Sequence, residues 1–351
     1  MVPQYDTKDV EGLGKFDVLV STIRYTTRIY GLPAELSGLY CRAIGTDSVR
    51  QILYLRDLNV SADMQSLGRG VPSLYRPNKP GFDDIKNIII PLSSAGYSII
   101  IPDGLGFGIS KSSPHQYNDQ KRLVGDSRDA LYASYGYQLS RGNDSYARSI
   151  HIVGYKYGAL QALWLDRLFS DANNPNGPRV KGVILNDGHY NLDSYIMNTM
   201  EVNRADYQWS RQALLTLYHT NLHGTKVRPF DQLFSKAVND DRDILKWGDH
   251  SFSTHLNPLF RGQFLSRNDF ITRNNLKVSS LSPYYSRAKN IIFHHSADNL
   301  EYPLEDQEKL IQSLRGGQAL LKTYSNPPLS QAESAKRFVK TTIADLRAID
   351  Q

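Results

Sequence analysis

One ten-residue stretch constrains the fold of this chain more than any other: His151-Ile152-Val153-Gly154-Tyr155-Lys156-Tyr157-Gly158-Ala159-Leu160. Residues 149–154, Ser-Ile-His-Ile-Val-Gly, read as a buried strand. A helix is expected from Gly158 through Leu165, with good helix formers from Ala159 on. The stretch reads as a buried strand, a sharp corner and a helix. Glycines on both sides of the corner allow neighbouring backbone to come close without a Cβ clash. The corner lifts its central side chain, Lys156, above the sheet edge at the start of the helix.

Strand-like and helix-like segments alternate along the rest of the chain. Apolar runs at 36–42 and 51–54 read as strands, separated by a turn at 45–48. Residues 57–80 read as a long loop rich in Gly, Ser, Pro and Asn, of a length that often serves function. A helix is expected over 85–95, a strand over 97–102, a helix over 120–139 and a strand over 149–154. The run Ile99-Ile100-Ile101 is continuous rather than alternating, as in parallel strands covered on both faces. A strand follows at 180–186. Alternation then stops, and 193–287 lean helical. It resumes with a strand at 290–294, a helix at 304–314 and a last helix at 331–346. The class is α/β, with a mostly parallel, doubly wound sheet. A core of 1–190 and 288–351 would carry a helical insertion over 191–287.

Composition excludes several function classes. The net charge is +6, and the Lys and Arg residues are scattered without a run of five or six. A concentrated basic face for nucleic acid is therefore not expected. The single cysteine, Cys41, permits no intrachain disulfide and reads as a small core residue. No apolar stretch reaches bilayer length, and the N-terminus does not read as a signal peptide. His294 and His295 alternate across a strand, so both cannot face one metal. The acidic run at 239–243 lacks the glycine and glutamate of a calcium loop and reads as a solvated turn. The Gly104–Gly108 stretch lacks the third glycine of a dinucleotide loop. No cofactor and no metal are expected.

The corner has the frame of a nucleophile elbow, G-x-S-x-G, with lysine at its centre. The segment at 294–304, with His294, Asp298 and Pro303, resembles the late-strand loop that carries the triad acid in α/β-hydrolases. There Asp298 falls on the acid. More segments resemble the secreted bacterial lipases and esterases with a large helical lid. Residues 30–39 resemble their G-x-P-x-x-x-SG segment. Residues 96–108 resemble G-Y-x-x-x-x-P-D-Y-x-G-x-G, with Gly104 in place of a tyrosine. Residues 114–117, containing His115, resemble a following H-P-Y, and 188–192 resemble G-P-Y-D-L. The resemblance runs from about residue 25 to the C-terminus. It implies an α/β-hydrolase fold with 191–287 as lid, and a secreted or periplasmic location.

The same resemblance shows what is missing. A serine hydrolase needs a nucleophile, a histidine base, an orienting acid and oxyanion donors. Lys156 holds the nucleophile position. No histidine occurs after His295, so the loop at 324–331 has no base. Where the likeness carries H-G-T, this chain reads Tyr54-Leu55-Arg56-Asp57-Leu58, and Asp57 would set a negative charge beside the oxyanion. The expected protein is a degenerate hydrolase that binds a small molecule or a protein partner beneath the lid. Tyr155 and Tyr157 would flank Lys156, with Arg56, Asp57 and His115 nearby. Lys156 would reach Asp298, filling the space of serine and histidine. Two readings stay open beside this one. One is an active ester hydrolase; the other is a lysine-dependent enzyme in which helix N-terminal amides and an apolar lid activate the amine.

Overall fold

The computed structural model describes residues 14–29, 31–45, 50–57, 70–113, 119–140, 149–172, 174, 177–202, 207–247, 251–282, 284–296, 304–316, 318–324 and 331–351. Eight strands form one sheet: β1 (Val18–Ile29), β2 (Leu32–Ala43), β3 (Gln51–Leu55), β4 (Ser98–Pro102), β5 (Ser149–Tyr155), β6 (Arg179–Asn186), β7 (Asn290–Ser296) and β8 (Gln318–Tyr324). Their spatial order is β1-β2-β4-β3-β5-β6-β7-β8. The β1–β2 and β2–β4 pairs are antiparallel, and every later pair is parallel.

Burial explains the run-like central strands. All five residues of β3 and all five of β4 are buried, because helices cover both faces of the sheet. Full burial of Ile99, Ile100 and Ile101 stabilises the fold by roughly 2–3 kcal/mol each. Helices α2 (Gln120–Ser140) and α3 (Tyr157–Ser170) follow β4 and β5 in the chain. Helix α1 (Ile90–Ser94) continues directly from a π-helical turn at Ile85–Ile89. Helix α11 (Gln331–Asp350) contributes Phe338, Val339, Ile343 and Leu346 to a core shared with Ile52, Ile99, Val153 and Ile184. Cys41 is fully buried in that core, and burial pushes its thiol up.

Strand β1 is absent from the pattern of apolar runs. Its burial is mixed and its sequence is β-branched and polar, VLVSTIRYTTRI, as suits an edge strand with one wet face. The threonines and valines were the available signal. Strand β8 was not anticipated either. The expected strands and helices fall within a few residues of their observed bounds, and much of the expected turn at 45–48 and loop at 57–80 lies outside the described residues.

Between β6 and β7 the chain forms helices α4 (Leu192–Val202), α5 (Tyr207–Leu222), α6 (Phe230–Leu233), α7 (Asp241–Lys246), α8 (Pro258–Leu265) and α9 (Phe270–Ser279). Asn257 caps α8 through the amide of Leu259, and Asp269 caps α9 through that of Thr272. The acidic run, expected as a solvated turn, instead leads into the first turn of α7, with Asp241 buried and Asp243 accepting from the Asn239 amide at 2.9 Å. Helix α10 (Leu304–Ser313) follows β7. Among the described residues no helix is long and apolar enough to cross a membrane.

Candidate functional site

The parallel register sets the crest of the sheet. Leu55 of β3 pairs with Gly154 of β5, and Gly154 pairs with Leu185 of β6. Two residues further on, the chain reaches Asp57, Lys156 and Asp187, side by side off the C-terminal edge. This edge is where open α/β sheets place their ligands.

Lys156 occupies a strained corner, with φ 50° and ψ −113°. Non-glycine residues rarely hold positive φ, and such outliers concentrate at functional sites. The corner is held from several sides. The Lys156 amide donates to the Asn186 carbonyl at 2.8 Å, and the Ala159 amide donates to the Lys156 carbonyl at 2.9 Å. A Cβ at Gly154 would stand 2.6 Å from the Cα of Ala159, and one at Gly158 would run into the Leu55 carbonyl. Both glycines are therefore required by packing, as the elbow pattern predicts.

The Lys156 side chain is 38% exposed, and its Nζ lies 4.0 Å from Oδ2 of Asp57. The expected partner, Asp298, lies outside the described residues, as does His115. The pairing shown is with Asp57, because the β3–β5 register brings the two to the same level. Asp57 also accepts at 3.3 Å from the Gln212 side chain on α5, and the nearby Tyr157 backbone amide favours its charged form. Burial pushes the Asp57 carboxyl up, against the opposing pull of Lys156, Arg56, the Tyr157 amide and Gln212. The amide after an elbow's central residue is the one that α/β-hydrolases use to hold an oxyanion. Here a carboxylate of the chain itself stands near it.

The other predicted residues divide. The Tyr155 ring lies 5.9 Å from the Lys156 Nζ and packs on Phe338, so it does flank the lysine. Tyr157 does not line the crest with its ring. It is fully buried, 5.7 Å from the His189 ring, because the first turn of α3 points it into the core. Its contribution is the backbone amide. Arg56 is buried, donates to the Gly70 carbonyl and pairs with Asp84 at 3.5 Å. It anchors the segment after β3.

Asp187 and Gln212 were not anticipated. Asp187 has φ 46° and accepts from the Ser296 amide at 2.8 Å, the Ser296 hydroxyl at 3.1 Å and Asn186 at 3.0 Å. The Asn186-Asp187-Gly188 turn after a buried run was its sequence signal. Gln212 had none, since nothing local marks which insertion helix reaches the crest. His189 stacks on Tyr195 at 4.8 Å, and burial lowers its pKa to about 3, which keeps it neutral. His294 and His295 take opposite faces of β7, as alternation requires. His294 meets Asp345 at 2.8 Å, and His295 meets Gln307 at 2.8 Å. Among the described residues no cluster of three metal-ligating side chains occurs.

No protein-family model and no curated protein sequence matches the chain. Solved structures do. A hydrolase of Legionella pneumophila superposes with a TM-score of 0.79 at 17% identity, covering 96% of this chain and 90% of that one. The rice cell wall degrading esterase LipA of Xanthomonas oryzae gives 0.72 at 16%, covering 97% and 94%. Candida antarctica lipase A in its closed state gives 0.59 at 12%, covering 98% and 81%. At these identities the likeness speaks for the architecture alone: the chain has an α/β-hydrolase fold, with lysine at the corner of its strand-to-helix elbow.

Proposed function

We propose that this protein keeps the hydrolase scaffold without ester hydrolysis, and uses the crest around Lys156 to hold a ligand beneath the helical insertion. One observation carries the reading: the buried Asp57 carboxylate stands beside Lys156 and the Tyr157 amide, on the oxyanion side of the corner. Ester cleavage builds negative charge at that amide, and one such donor is worth roughly 10²–10³ in rate. A resident carboxylate opposes that charge. Lys156 in place of serine removes the hydroxyl nucleophile as well. Residues 191–287 then act as a cap rather than as a hydrolase lid, and Gln212 ties that cap to Asp57.

The exposed ammonium and the Tyr155 ring suit a small ligand with an anionic or acceptor group. A carboxylate 4.0 Å from Nζ also favours the ammonium over the free amine that Schiff-base chemistry needs. Short-chain nitrophenyl esters test the reading. Wild type should show no turnover, and Lys156→Ser alone should not restore it while Asp57 stays in place. Wild-type turnover abolished by Lys156→Ala would overturn the proposal. For the binding half, small carboxylates and phosphates should raise the melting temperature of wild type but not of Lys156→Ala. Equal shifts in both proteins would exclude the crest as the binding site.

A further inference from the structure

The insertion carries a cleft of about 570 Å³ between helix α9 and the loop that follows α5. Four cations line it: Lys226, Arg267, Arg273 and Lys277. Arg273 is paired with Asp193 at 2.5 Å, and Arg267 and Lys277 also feel that carboxylate. One acidic group thus faces three of the four basic ones, and among the described residues no carboxylate lines the cleft itself. Lys226, Arg267 and Lys277 are exposed. Phe270 and Ile271 line the cleft with them, and Val227 and Val278 follow Lys226 and Lys277 in the chain. Phe270 is 77% exposed, Val227 59% and Val278 58%. The pattern repeats three times: Lys226 next to Val227, Arg267 three residues before Phe270, and Lys277 next to Val278. Asp269 and Asn257 cap the flanking helices, so the face is built on firm elements rather than on a frayed end.

We propose that this face docks on an anionic lipid bilayer. Exposed Phe and Val beside Lys and Arg suit the boundary between headgroups and acyl chains. The ring and aliphatic groups enter the boundary, and the cations meet lipid phosphates and carboxylates. Each Lys or Arg close to an anionic leaflet is worth about 1 kcal/mol, close to a fivefold gain in affinity. Three exposed cations therefore provide about a hundredfold preference for anionic over zwitterionic lipid. A soluble polyanion such as RNA would use the cations but not Phe270. The proposal is independent of the chemistry at Lys156.

The test is sedimentation of the full chain with phosphatidylcholine vesicles, with and without phosphatidylserine. Wild type should pellet with the anionic vesicles only. Combined Lys226→Glu, Arg267→Glu and Lys277→Glu should weaken that binding about a hundredfold or more, with an unchanged melting temperature. Phe270→Trp should bind like wild type and show added fluorescence quenching by brominated acyl chains. Three results would overturn the proposal: no binding of wild type to anionic vesicles, unchanged binding by the folded charge-reversed variant, or no added quenching at Trp in place of Phe270. The last would identify a purely electrostatic site for a soluble polyanion.

Discussion

Two regions of the molecule set aspartate against lysine and reach opposite balances. On the α11 side of the sheet, Asp350 meets His151 at 3.1 Å, Lys181 at 3.1 Å and Arg50 at 3.4 Å. Asp345 likewise meets His294 at 2.8 Å and pairs with Lys322. Burial pushes Asp350 up, but the His151 and Lys181 contacts outweigh it and bring the carboxyl down to about 2. Burial works against Asp345 too, and His294 and Lys322 again win. At the crest, Asp57 has a lysine at 4.0 Å, the weaker pull of Arg56 and neutral donors, and burial still wins. The α11 seam satisfies its charges and holds the fold together. The crest leaves its charge undercompensated on a strained corner, which costs stability and suits a site kept for function.

Mutations can break this contrast. The largest effect should come from Asp350→Ala, which strips a buried carboxylate from its partners. We expect a loss of about 2–4 kcal/mol in urea unfolding. Acid should act on the same seam. Asp350 sits lower in the folded chain than when unfolded, so its contribution is complete above about pH 4. It fades as pH falls toward 2, at up to about 2.5 kcal/mol for a shift from 3.8 to about 2. Asp350→Asn should flatten that acid limb of the stability curve.

The crest should respond in the other direction. Lys156→Gly removes a side chain from a positive-φ corner, and a gain of about 1 kcal/mol is expected in thermal unfolding. The smallest effect should be that of Asp57→Asn. A carboxyl held above its ordinary range binds its proton more tightly when folded, so stability drains away as pH rises through that range. The amide variant should thus be slightly more stable at neutral pH, by within about 1 kcal/mol, with the gain shrinking in acid. If either crest change destabilised the protein as much as Asp350→Ala does, the two regions would be alike. Lys156 and Asp57 would then be structural.

Much of the site was readable locally. The elbow is a contiguous segment whose glycines and apolar run encode strand, corner and helix without help from elsewhere. The misplaced sign at Asp57 was readable too, because Arg56 and Asp57 follow directly on a buried strand. That Asp57 stands within reach of Lys156 was not, and the expected partner Asp298 lies outside the described residues. A lysine is long and flexible enough to reach several carboxylates, and spacing along the chain does not choose among them. Tyr157 misled for a related reason: adjacency to the corner says nothing about which way the first helical turn aims a ring.

The alternation of the central strands and helices, the corner at Lys156 and the lack of a histidine after His295 were determined by the sequence alone, since each is written in consecutive residues. Only the tertiary structure decided that β3 lies beside β5 in register. That register sets Asp57 against Lys156 and the Tyr157 amide, with Gln212 arriving from the insertion. It was also the fold that gathered cations scattered in sequence into one face around α9. Both results depend on contacts between distant segments, which burial and strand pairing select and local pattern does not encode.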